Sequence, residues 1–202
     1  MEKQNHFKRL WPVYLSLLVL FVFTSYFLFK SNFEFLVYTV SIGIIIWLIG
    51  YSDKFFSYPT VAKLGFSIWL FFHFLGGSLM INGIRLYDSI LLPIFAEPIN
   101  ILRYDQVMHF ICYAVFAIFV YAIINKTFLL RDNKYSKATS FFIIVLVAEG
   151  IGAVNEIIEL STVIFFNSTG VGDYMNNALD LVFNILGAIL GTAIIFYIRK
   201  RD

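Results

Sequence analysis

What most constrains this chain is a series of six apolar runs, each long enough to cross a bilayer. A helix spanning a ~30 Å hydrocarbon core needs about 20 mostly apolar residues, since each residue advances it by only about 1.5 Å. The runs cover about residues 11–29, 33–51, 61–81, 105–125, 136–166 and 176–197. No water reaches the core to satisfy backbone N–H and C=O groups, so such runs must be helical. The expected fold is therefore an all-α integral membrane protein, a six-transmembrane helix bundle forming one domain over residues 1–202. The first run follows Lys3, Lys8 and Arg9, as in a secretory signal. It is too long for a signal core and no small-residue cleavage site follows, so it reads as a retained helix.

Composition matters here mainly for what it excludes. Hydrophobic residues make up 60% of the chain and charged residues 14%, which leaves too few charges for a soluble surface. The formal net charge is only +2, and no basic patch is interleaved with aromatics, so nucleic acid is not an expected partner. The single cysteine, Cys112, lies in an apolar run and can form no intrachain disulfide.

The distribution of cations predicts orientation, because Lys and Arg accumulate in cytoplasmic loops. With the N-terminus cytoplasmic, the inner segments hold Lys3, Lys8, Arg9, Lys54, Lys63, Lys126, Arg131, Lys134, Lys137, Arg199, Lys200 and Arg201. These are 12 of the 15 Lys and Arg. Only Lys30, Arg85 and Arg103 fall outside. Six spans return the C-terminus to the cytoplasm, in what this reading takes as the plasma (inner) membrane.

Residues 82–104 are an unusual connection. They combine Ile90, Leu91, Leu92, Ile94 and Phe95 with Pro93, Glu97 and Pro98, too apolar for water and too broken to span. An interfacial or re-entrant segment is expected there, lying over the bundle like a lid.

Given that topology, polar groups from four runs converge on the outer half. Asp105 opens the fourth run and His109 stands one turn below it, an i,i+4 pair on one face. The fifth run carries Glu149, Asn155, Glu156 and Glu159. The sixth presents Asp173, Asn177, Asp180 and Asn184, then Gly187 and Gly191, on one stripe. Leu179, Val182, Phe183, Leu186 and Ile189 lie on the opposite face. His73, late in the third run, reaches the same level, and Arg103 lies at its rim. Small residues at 148, 150, 152 and 153, with Gly187 and Gly191, allow close backbone approach.

A carboxylate at the centre of a membrane helix costs about 2.5–3.5 kcal/mol on insertion scales. Several of them without matching Lys or Arg must be protonated, share protons, or hold a metal. An outward-facing polar pocket with carboxylates from two helices and histidine from a third suits Zn, Mn or Mg. Asp105, His109, Asp173 and Asp180 are the candidate metal ligands. Glu156 or Glu159 is the candidate general base, and His109 a ligand or acid. Arg103, Asn177, Asn184, Glu149 and His73 are candidate binding residues. Plainer roles stay open: Asp105 and Asp173 as helix starts favoured by the macrodipole, Asn155 and Asn184 as interhelical glue, His73 as a packing residue.

These residues resemble the VanZ-like family and the related bacterial inner membrane protein YjdF family. Asp105-Gln106-Val107-Met108-His109-Phe110 matches the VanZ-like D-x-x-x-H-F. Arg103-Tyr104-Asp105 with His109 approximates the YjdF-like R-x-x-Y-D-x-x-x-H-F. Asn155-Glu156-Ile157-Ile158-Glu159 approximates Y-E-x-x-E. Gly172-Asp173, Asp180, Asn184, Gly187, Ala188 and Gly191 follow the closing pattern, with Asn176 or Asn177 where an aspartate is common. The resemblance covers about residues 105–191 and implies a polytopic cell-envelope protein, without supplying a reaction.

Three functional classes follow. One is a metal-dependent membrane enzyme acting on a lipid or lipid-linked substrate in the outer leaflet. A second is a proton-coupled transporter relaying through Glu149 and Asp180. The third is a non-catalytic lipid- or envelope-binding module.

Overall fold

The computed structural model describes residues 2–94, 102–127, 136–167 and 172–199. Phe95, Glu97, Pro98, Arg131, Lys134, Lys200 and Arg201, used above, lie outside the described residues. Among the described residues six helices are long and apolar enough to cross a membrane. They are α1 (Glu2–Phe29), α2 (Phe33–Phe56), α3 (Thr60–Ser78), α4 (Tyr104–Thr127), α5 (Lys137–Phe166) and α6 (Tyr174–Arg199).

Local chemistry sets the helix ends. Ser31 turns left-handed after α1, and the Asn32 side chain accepts from the Phe35 N–H to start α2. Left-handed Ser57 and Asn167 close α2 and α5, and Ser136 caps the start of α5. Such caps use up the donors and acceptors that a helix terminus leaves unpaired.

Two boundaries differ from expectation. Ser52-Asp53-Lys54 does not end α2, which runs on to Phe56. The Asp53 carboxylate is fully buried and takes the Lys63 ammonium at 3.0 Å and Arg9 Nε at 2.7 Å. Lys63, read above as a loop cation, is thus an interior residue of α3. In addition, α3 stops at Ser78. Met80–Ile81 (β1) pairs antiparallel with Ile84–Arg85 (β2) around Asn82-Gly83, both at positive φ. Asn-Gly is the sequence signal for this type of tight hairpin.

The helices form two groups. In the first, α1 packs on α2 and α3 through a ring cluster of Phe27, Phe35 and Phe74. In the second, α6 lies against α4 and α5. A Cβ at Gly187 or Gly191 would collide with the backbone of Phe110 or Ala114, so α4 and α6 touch main chain to main chain. The groups join along α3 and α4, where Trp69 Nε1 donates to Met108 O at 3.0 Å. By contrast, α2 meets α5 over a short stretch, with Phe33 and Phe166 stacked at 6.3 Å. The lipid-facing side expected for α6 is exposed at Val182, Leu186 and Ile189.

The connection after α3 is extended rather than helical in its described part. Leu91 and Leu92 exchange backbone bonds with Leu102, and Ile90 bridges Arg103. Met80, Ile81, Ile84 and Leu92 are exposed, as suits a segment lying against lipid headgroups. A 3-10 turn at Leu86–Asp88 points Tyr87 down onto His73.

Candidate functional site

The start of α4, the last third of α5 and the start of α6 come together at one end of the bundle. His109 lies at the centre, 4% exposed. Its Nε2 is 3.4 Å from Asp105 Oδ1 and 3.8 Å from Glu159 Oε1, and its Nδ1 is 3.7 Å from Glu156 Oε1. Asn184 Oδ1 stands 3.0 Å from Nδ1. An amide oxygen only accepts, so with this partner Nδ1 carries the proton. Nε2 is then the ring nitrogen that faces Asp105 and Glu159.

Asparagines hold the acids in place. Asn176 Nδ2 donates to Asp180 Oδ2 at 2.7 Å and to Asp105 Oδ2 at 3.1 Å. Asn177 donates to Glu156 Oε2 at 2.6 Å, and Asn155 to Glu159 Oε1 at 2.8 Å. Arg103 Nη1 donates to Asn176 Oδ1, so the arginine at the rim steadies the amide that holds two of the acids. After these bonds Asp105 Oδ1, Glu156 Oε1 and Asp180 Oδ1 remain buried without a hydrogen-bond partner.

The geometry has the dimensions of a cation site. Asp105, His109 and Asp180 each offer a ligand atom within 4.8 Å of the others, and so do His109, Glu156 and Glu159. Metal–ligand bonds of about 2.0–2.2 Å put neighbouring ligand atoms about 3.0–3.5 Å apart and opposite ones about 4.2 Å apart. The His109–carboxylate spacings fall near that range and exceed a direct charge-assisted hydrogen bond of about 2.7–2.9 Å. A histidine whose other nitrogen is fixed by an outer hydrogen bond is also the usual form of a metal ligand.

A family model described as a predicted membrane protein, DUF2238, matches residues 10–201. The chain belongs to this family. No curated protein and no solved structure matches it. The family match takes in α1 and α2, which carry none of the site motifs, so the unit extends beyond the resemblance at residues 105–191.

Most of the expected residues meet here, with three exceptions. Asp173 is exposed, and its Oδ1 accepts from the Asn176 N–H. It caps α6 and stands outside both ligand groups, because the buried stripe of that helix runs through Asn176, Asp180, Asn184, Ala188 and Thr192. Glu149 lies two turns below Glu156, with its Oε2 buried and unpartnered, and belongs to neither ligand group. His73 faces the site from α3, yet its Nδ1 is bound at 2.8 Å to the Tyr87 hydroxyl. Burial, reinforced by the nearby Asp105 carboxylate, raises the Tyr87 pKa well above its ordinary value, so the phenol keeps its proton.

The sequence reading gives two residues less than their role and misses a third, Tyr87. Asn176 is named above only as an alternative to Asn177 in the closing pattern, although it bonds more site partners than any other amide among the described residues; its signal was position i−4 from Asp180. Gly152 is named above only as small, but a Cβ there would lie 2.7 Å from Asn184 Nδ2, so it makes room for that amide. Gly150, expected to serve the same purpose, faces open space. Tyr87 gives no periodic signal, since it arrives from an irregular segment.

Proposed function

We propose that this end of the bundle is a divalent-cation site of a membrane enzyme acting on a lipid or lipid-linked substrate. Asp105, His109 through Nε2, and Asp180 are the ligands, Zn, Mn or Mg the ions that suit them. The observation that carries the reading is the three buried carboxylate oxygens without partners around one histidine. Buried acids left unpaired are costly, and a shared divalent ion removes that cost. A bound ion would acidify a water and polarise a substrate oxygen.

Between the two glutamates, Glu159 is the better general base. It borders the cavities that reach into the bundle, whereas Glu156 does not. Glu156 is held by Asn177 and serves to fix His109 from its Nδ1 side. The distribution of Lys and Arg supports an outward-facing site, in a plasma membrane with both termini cytoplasmic. The D-x-x-x-H-F resemblance to VanZ-like and YjdF-like proteins supports a cell-envelope role.

The test is elemental analysis of the protein purified in mild detergent, wild type beside Asp180→Asn and Glu156→Gln. A near-stoichiometric divalent metal in the wild type, lost in Asp180→Asn, is the expected result. A well-folded wild type without metal would overturn it and leave a non-catalytic polar network.

A further inference from the structure

The way α2 and α5 meet leaves a slot in the side of the bundle. Beneath the Phe33–Phe166 stack the two helices separate around a cavity of about 80 Å³. Its walls are Ser41 and Ile45 from α2 and Ile151 and Ile158 from α5. Val154, at its edge, is 55% exposed, so the slot opens sideways. Inside the bundle it ends on His73, Asn155 and Glu159. A smaller cavity of about 20 Å³ shares His73 and Glu159 and continues to His109.

We propose that this slot admits an acyl chain of a bilayer lipid from the side, with the lipid's polar end at His73 and Glu159. Three observations bear on the occupant. The mouth lies between two spanning helices, so what faces it is hydrocarbon, not water. The outer walls, Ile45, Ile151, Val154 and Ile158, are aliphatic and offer none of the about 2–4 partners that ordered water needs; a methylene chain needs none, and the polar side chains gather at the inner end. At the inner end His73 is nine-tenths buried and its Nε2 has no partner, Nδ1 being taken by Tyr87. An unsatisfied buried polar atom is destabilising, and a lipid hydroxyl, ester or phosphate oxygen at that point satisfies it. An amphipath with one thin apolar arm fits both ends. A helix from a partner, about 10 Å across, does not.

The proposal rests on the cation site for what happens to the lipid, and on the slot alone for where the chain lies. Trp69, 8% exposed, lines the inner end of the slot and reports its contents. In a Trp11→Phe, Trp47→Phe background it is the sole tryptophan. The protein is reconstituted in phosphatidylcholine vesicles whose acyl chains carry bromine, a short-range quencher. Strong quenching relative to unbrominated vesicles is expected, and Ser41→Phe or Ile158→Phe, which fill the slot, should at least halve it. Unquenched Trp69, or equal quenching in both filled variants, would overturn the slot. Quenching that disappears as the protein-to-lipid ratio rises would assign it to a second copy and overturn it too. Metal content measured on the same vesicles separates the two claims: metal without quenching removes the slot, and quenching without metal removes the cation site.

Discussion

Each group of three helices buries one charged cluster, and the two clusters are built on opposite rules. In α1–α3, one carboxylate, Asp53, faces two cations, Lys63 and Arg9. Lys63 also donates to Arg9 O at 2.8 Å, and Asp53 Oδ1 accepts the Tyr58 N–H. The acid is more than matched by cations, two of them on one carboxylate. In α4–α6, four acids surround one histidine, and three of these four leave a carboxylate oxygen without a hydrogen-bond partner. A cluster whose acid already has its cations holds helices together. A cluster left with excess charge invites a ligand. The contrast explains why equally buried acids are assigned different roles.

Breaking the first cluster should have the largest effect on stability. Asp53→Ala leaves Lys63 buried and unpaired, a loss of about 3–5 kcal/mol for a pair of this kind. Detergent-titrated unfolding measures it, and metal content per folded molecule should not change. If Asp53→Ala were as stable as the wild type, the division into structural and functional clusters would fail.

Next comes the α4–α6 seam. Gly191→Leu forces apart two backbones now in contact, an overpacking cost of about 1–3 kcal/mol. Because Asp105 and His109 sit on one helix and Asp180 on the other, metal binding should weaken along with stability. Metal binding unaffected by Gly191→Leu would mean that the seam does not set the ligand geometry.

Substitution of Asn176 separates geometry from charge. Asn176→Ala removes the amide bridging Asp105 and Asp180 without touching a proposed ligand. Losing a hydrogen bond that orients two ligands lowers metal affinity about 10–100-fold, read by competition with a chelator, with the fold retained. Unchanged affinity would show that the acids need no orienting. The smallest expected effect belongs to Tyr87→Phe, which removes one hydrogen bond to His73 and costs about 1 kcal/mol of stability. Thermal unfolding checks it, and metal content should be unaltered.

Much of this contrast was legible in the sequence, but unevenly. The spans followed from run length because a bilayer fixes the length of what crosses it. Asp105, His109, Glu156, Glu159 and Asp180 stood out because acids are rare in apolar runs. The helical phase of α6 was less certain. Stripes through Asp173 or Asn176 differ by less than one turn, and what decides is which residue must cap the helix. The Asp53 cluster was missed for the opposite reason, since Ser52-Asp53-Lys54 looks like an ordinary polar break. Only the fold shows Arg9 and Lys63 closing over it. Nothing periodic marks Tyr87, because it comes from a loop.

The chain order of these partners has a further consequence for biogenesis. Arg9, Asp53 and Lys63 have all been made once α3 is complete, so the first group can lock while the rest is still being synthesised. Domains and modules generally settle in that order, from the N-terminus on. Asp105 and His109, however, meet Asn176, Asp180 and Asn184 only when the last helix arrives, across 71 to 75 residues. Until then Asp105 and Glu156 wait in the bilayer without the amides that hold them. A chain truncated before α6 should therefore keep its scaffold but be a target for membrane quality control.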